Sequence, residues 1–300
     1  MTDTISLATA RSGKTRRPTR RHTAALLRGM IRSRNGMIGG LLALVPILIA
    51  VIGPFLTPVD PASIVGAPFS APGAGYPLGT DYLGRDVLSR VLDGGWWILA
   101  LSVMATAIGV GLGSLLGLIA GYRRGATGQV IMRLLDVLLS FPPILLALLF
   151  MSIIGPEWWL VMLTVAASHV GPVARVVESA TLGLVNRGFI QYGEMIGMSR
   201  LRLLTRDLLP NMVAPLTVQV GIRLSYSVGF IGALAYLGYG RPSPQADWGS
   251  MIAENQINII AAPMPVVVPV LALALLTVGI NLLTDAFGRA AGIDIGKDNA

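Results

Sequence analysis

Six stretches of this chain, at 37–55, 96–122, 134–154, 158–177, 212–239 and 263–284, are almost wholly apolar and close to or above the length of a membrane crossing. A hydrocarbon core about 30 Å thick takes about 20 helical residues to span. No water is present there to satisfy backbone N–H and C=O groups, so a crossing segment of this length is a helix that satisfies them itself. The chain is therefore expected to be an all-α membrane protein with six transmembrane helices. Of its 300 residues 53% are hydrophobic and 13% charged, which leaves too little polar surface for a soluble domain of that size. The first run is longer than the apolar part of a secretory signal, and no small-residue cleavage pattern follows it, so it is expected to remain as a span.

The 23 basic residues give a net charge of +8, which raises the question of nucleic acid. Their placement answers it. Nine precede residue 37. With the N-terminus inside, that side also holds Arg123, Arg124, Arg133, Arg175, Arg187, Arg200, Arg202, Arg206, Arg289 and Lys297, against Arg85, Arg90 and Arg241 outside. Lys and Arg in short loops fix orientation, so the charge belongs to membrane topology, with the lipid bilayer and no nucleic acid as its partner. Both termini are expected in the cytoplasm. The expected division is a disordered basic tail at 1–30, a first helix at 31–57, an extracytoplasmic loop at 58–93, a core with five helices at 94–285 and a cytoplasmic tail at 286–300.

Candidates for chemistry are few. There is no cysteine, which removes disulfides and thiolate nucleophiles. Gly13-Lys14-Thr15 ends like a phosphate loop, but Ala8 stands where the first glycine belongs and no strand fits before it. His22 and His169 are the two histidines, and no spacing between them or with acids makes a metal site. An intramembrane hydrolase needs a nucleophile and a base, for which His169 alone is poor material. No cofactor, no metal and no catalysis are expected. No span carries a carboxylate near its middle, so energy is expected to enter from outside the bilayer. Arg223 falls inside the fifth span, where it snorkels or meets a partner.

Gly109, Gly113, Gly117 and Gly121 recur at one helical turn and strip one face of side chains. Two readings stay open, a tight helix–helix contact and a moving interface. The stretch 178–211 is amphipathic: Phe189, Tyr192, Ile196, Leu201, Leu204 and Leu208 recur among arginines, which predicts short helices broken at Gly197 and ended before Pro210. It lies against the bundle or serves as a docking element on which a soluble partner pushes.

In that stretch the run from Arg187 to Gly197, closed by Leu209-Pro210-Asn211, resembles the coupling loop of the permease subunits of ATP-driven (ABC) importers. The hallmark of that loop is Glu-Ala-Ala-x-x-x-Gly. Gly197 and Leu209-Pro210 match it, whereas Gln191, Tyr192 and Gly193 stand at the Glu-Ala-Ala positions. The run from Pro77 to Arg90, Pro-Leu-Gly-Thr-Asp-Tyr-Leu-Gly-Arg-Asp-Val-Leu-Ser-Arg, resembles the signature of the oligopeptide, dipeptide and nickel branch. Matches at 132–142, at 237–240 with 247–249, and at 281–285 follow in order. The long first loop is similar to that of the second of the branch's two permeases.

The resemblance implies a permease in a bacterial cell membrane, forming a path for peptides with a second, related permease. ATP-binding cassette ATPases would grip the coupling loops, and an extracytoplasmic binding protein would deliver the cargo. Ser168-His169 is similar to the nickel members, which makes His169 a candidate pathway residue and nickel or a metal chelate the alternative cargo. A membrane scaffold acting through the basic tail is the alternative outside transport.

Overall fold

The computed structural model describes residues 33–292 apart from 74 and 124. The expected tail at 1–30, with Gly13-Lys14-Thr15 and His22, and the last residues of the 286–300 segment lie outside the described residues. Most of these residues are helical: α1 Arg34–Ile52, α2 Val87–Arg123, α3 Gly125–Leu139, α4 Pro143–Ile154, α5 Trp158–Val185, α6 Gly188–Met195, α7 Arg200–Tyr239, α8 Trp248–Asn255 and α9 Met264–Ala290. Five are long and apolar enough to cross a membrane, and the bent pair α3–α4 brings the number to six when it is counted as one broken span.

From Met37 onward the exposed side chains of α1, among them Leu41, Leu44 and Leu48, are apolar, as lipid contact requires. Its buried face is small, with Gly36, Gly39, Ala43 and Ala50. Without a hydrophobic drive between helices in lipid, such faces let backbones close on one another. A Cβ on Gly39 would lie 2.7 Å from that of Leu282, and one on Gly279 would lie 2.8 Å from that of Ala43, so α1 seats on α9 through reciprocal glycines.

The helices overrun the apolar windows, and three expectations change. First, α2 begins at Val87 rather than near 96, because Asp86 accepts hydrogen bonds from the Ser89 backbone at 2.8 Å and its hydroxyl at 2.6 Å. That cap lies outside the apolar stretch and starts the helix early. Its 37 residues rise about 55 Å, well beyond a bilayer, and the helix crosses the division expected at 93. Likewise α9 runs past 285 to Ala290. Second, the span expected at 134–154 is two helices bent by 74°. Pro142 and Pro143 have no N–H to continue the ladder, and Pro143 opens α4 where none is needed.

Third, the second of the two short helices expected does not stop at Pro210. Helical backbone continues from Arg200 to Tyr239, through a π turn at Leu203–Leu208 and a 3-10 turn at Leu209–Met212. Pro210 sits at the start of the 3-10 turn, where its missing N–H breaks no bond.

The main core lies between α2, α5 and α7, with Ile98, Leu101, Val161, Val165, Ile231 and Leu234 buried together, and Trp248 of α8 closes one end. A second cluster at the other end gathers Leu118, Val177, Leu184, Leu208 and Met212 around Ile190 of α6.

Candidate functional site

At the end of the bundle closed by α6, Gly193 is pressed between neighbours: a Cβ there would lie 2.7 Å from the Leu203 side chain and 3.1 Å from the Met198 sulfur. Gly197 ends the helix in the left-handed region, at φ +75°. Met198 N–H donates to the Gly193 carbonyl at 3.0 Å and Gly197 N–H to that of Glu194 at 3.0 Å. This bond pair closes a helix C-terminus, and its pivot residue favours glycine. Gln191 and Tyr192 are exposed, and with Met195, Ile196 and Leu201 they leave an apolar surface that nothing among the described residues covers. Leu209 and Pro210 are half-buried further along α7; Leu209 packs on the second cluster. A cleft of about 440 Å³, lined by Tyr122, Arg123, Thr127, Glu194 and Arg200, runs between the α6–α7 turn and the end of α2.

In the middle, the four spaced glycines of α2 meet α5. Cβ atoms on Gly109, Gly113, Gly117 and Gly121 would fall 2.6–2.8 Å from those of His169, Val173, Val177 and Thr181. Two helices of period near 3.6 that meet through residues four apart on each have ridges seated in one another's grooves. His169 belongs to this seam. It is fully buried, its Nε2 lies 2.7 Å from Ser227 Oγ, and that hydroxyl is 3.0 Å from Thr106 Oγ1. The chain of polar groups ties α5 to α7 and α2. Nδ1 has no partner among the described residues, which also contain no group of three His, Cys, Asp or Glu able to hold a metal. Asp136, on α3, pairs with Arg175 of α5.

At the opposite end lies a feature the sequence reading missed. Arg85 and Arg90 are 1% and 0% exposed, and both reach the same two acids. Asp81 takes Arg85 Nε at 2.7 Å and Arg90 Nη1 at 2.8 Å; Glu254 of α8 takes Arg85 Nη2 at 3.1 Å and Arg90 Nη2 at 2.9 Å. Asn255 accepts the Tyr82 N–H at 3.0 Å beside it. The run at 77–90, useful above only as a resemblance, is thus one jaw of a buried clasp. Its other jaw is 164 residues away, beyond any local pattern. Burial raises the Glu254 carboxyl to about 7, against the pull of Arg85. The same end holds Trp248, whose Nε1 donates to the Val91 carbonyl at 2.8 Å, and Asp247, which caps α8 through Gly249 and Ser250 N–H at 2.9 and 3.2 Å. Burial lifts Asp247 to about 6.

The fold and these sites define a polytopic helical membrane component with an apolar surface at the α6 end that the described residues leave uncovered. Residues 113–292 match the family of binding-protein-dependent transport system inner membrane components, and the chain belongs to that family. It is accordingly a multi-pass transport subunit of the inner membrane and not an enzyme. The chain is 34% identical to the di/tripeptide transport system permease protein DppC of Pseudomonas aeruginosa, with 85% of the chain and 87% of the relative covered. It is 33% identical to the glutathione transport system permease protein GsiD of Pectobacterium atrosepticum, covering 88% of each. To the dipeptide transport system permease protein DppC of Haemophilus influenzae it is 30% identical, over 86% of the chain and 90% of the relative.

Proposed function

We propose that the chain is one of two permeases forming the path of an ATP-driven importer for di- or oligopeptides. The observation that carries this reading is that relatives named for dipeptides, di/tripeptides and glutathione match across nearly its whole length. The second permease is a related but different chain. ATPases on the cytoplasmic side grip the uncovered surface of Tyr192, Met195, Ile196 and Leu201, and a binding protein loads the path from the α8 end. Movement of α6 reaches the bundle through Ile190, buried in the second cluster, and alternates the access of the path. His169 has a structural part in this reading. Its ring is enclosed and hydrogen-bonded to Ser227, so peptide fits the chain better than nickel.

The test is uptake by proteoliposomes holding this chain, the second permease, the ATPases and the binding protein that co-purify with it. ATP-dependent accumulation of labelled dipeptide, absent without this chain, is expected. Accumulation of nickel and not of di- or oligopeptide would overturn the cargo, and a complex that carries nothing would return the chain to the scaffold reading.

A further inference from the structure

The outward faces of the long helices differ in kind. Apart from the terminal Arg34, Asn35 and Arg289, the exposed positions of α1 and α9 carry no charge and all but Asn281 are apolar, as at Leu41 and Leu48 or Val267 and Leu271. On α7 the exposed Thr217, Val220, Tyr226, Gly229 and Tyr236 and the half-buried Arg223 follow at steps of three and finally seven residues, each step of three drifting about 60° around the helix, so that Arg223 and Tyr226 are neighbours on its surface. Lipid does not face such a row, because a guanidinium in hydrocarbon is expensive and charged groups within spans turn to protein or water. Arg223 also lies too deep to reach a bilayer surface with ease: it is ten residues from Val213 and sixteen from Tyr239, about 15 and 24 Å along the helix.

Its Nε donates to Gln219 Oε1 at 3.3 Å. Neither Nη has a hydrogen-bond partner among the described residues, and no ion pair among them includes Arg223. Tyr226, three residues on, is 47% exposed, and no hydrogen bond of its hydroxyl is found among them either. Its ring stands edge-on to His169 at 5.7 Å between centroids. A half-buried two-pronged donor and an exposed phenol hydroxyl are thus held side by side at membrane depth.

We propose that this face of α7 lines the translocation path and that Arg223, with Tyr226, receives the free carboxylate of the cargo in transit. The proposal rests on the peptide reading, since a peptide brings one such group at its C-terminus. A guanidinium fork matches a carboxylate with two parallel hydrogen bonds, which a lysine cannot reproduce.

The experiment compares dialanine with its C-terminal amide in proteoliposomes of the complete importer. The acid-to-amide uptake ratio of each variant is divided by that of wild type, which cancels the binding protein's own preference. Arg223→Met is expected to lower this ratio about tenfold, as loss of a charge-assisted pair implies, and Arg223→Lys to fall between. An unchanged ratio in both variants would overturn the carboxylate assignment while leaving the peptide reading standing. Loss of the second permease on purification of Arg223→Met would overturn it in favour of an ion pair between permeases. Wild type carrying neither compound nor any longer peptide would remove the peptide reading and this one with it. Because the chain has no cysteine, Tyr226→Cys and Leu271→Cys read the faces directly. A small water-soluble thiol reagent is expected to modify the first and spare the second, and no modification of Tyr226→Cys in the assembled importer would overturn the path assignment.

Discussion

Single residues decide whether the two ends of the bundle hold. Arg90, itself wholly buried, gives one Nη to Asp81 and the other to Glu254, so Arg90→Ala leaves Arg85 as the single counter-charge for two acids. Breaking a buried pair in this way costs about 3–5 kcal/mol. The purified protein is expected to lose thermal stability accordingly, and a change comparable to a surface arginine such as Arg187→Ala would show that the clasp does not bind. Glu254 adds a pH dependence of defined sign. Its folded pKa, about 7, lies above the ordinary 4.5, so the folded state holds the proton more tightly and stability falls as pH rises from about 4.5 through about 7. Asp247, raised from 3.8 to about 6, acts with the same sign at lower pH. Glu254→Gln is expected to flatten the upper part of that slope in melting curves; an unaltered slope would mean that other groups produce it. In the seam, Gly117→Leu adds a branched chain where a Cβ alone would sit 2.8 Å from that of Val177. Overpacking typically costs about 1–3 kcal/mol. The yield of folded protein should drop, whereas Gly111→Leu on the same helix, with nothing within 4 Å, should be tolerated; equal yields would remove the packing role.

Among the elements, what could be read from the sequence was whatever repeats locally. Glycines at 109, 113, 117 and 121 mark a bare helix face, but their partner column of His169, Val173, Val177 and Thr181 carries no mark, because mixed residues four apart occur on any helix. The apolar stretch at 134–154 hid an elbow, since apolarity measures depth in lipid and says nothing of direction; the Pro142-Pro143 pair held that information. Pro210 misled in the opposite sense, because widened and tightened turns absorb a proline that a regular helix rejects. Gly197 is the pivot between α6 and α7, and it permits a local prediction. With φ +75° and nothing within 4 Å of a Cβ, Gly197→Val strains backbone without a clash. The cost, about 1–2 kcal/mol, falls on the α6 turn and leaves the spans intact. We expect normal amounts of subunit in the membrane, reduced uptake, and ATP hydrolysis that no longer responds to the loaded binding protein. Full uptake with normal stimulation would sink the coupling role of this turn.

At the scale of the whole molecule the question is which way the bundle faces. The α6 end carries Arg187, Arg200, Arg202 and Arg206 in exposed or half-exposed positions, and no ion pair among the described residues includes them. The α8 end has Arg85, Arg90 and Arg241, and each is engaged: the first two in the clasp, the third with Asp93 at 3.4 Å and over the Trp96 and Trp97 rings. Lys and Arg in short loops hold those loops in the cytoplasm whatever acids stand beside them, and they are more numerous at the α6 end, where Arg123 also borders the cleft. Trp96, Trp97, Trp158 and Trp159 cluster at the α8 end, where amphipathic rings mark the bilayer boundary, so residues 58–86 and α8 stand clear of the membrane there. The orientation this predicts places α6 in the cytoplasm and the clasp outside. Single cysteines test it against a background with none. Ala71 and Ser199 are exposed at opposite ends, and neither takes part in the clasp or the seam. In intact spheroplasts an impermeant thiol reagent is expected to label Ala71→Cys at once and to reach Ser199→Cys only after the membrane is opened. Labelling of Ser199→Cys in sealed spheroplasts, with Ala71→Cys silent until lysis, would invert the bundle. It would also turn the uncovered α6 surface away from any ATPase.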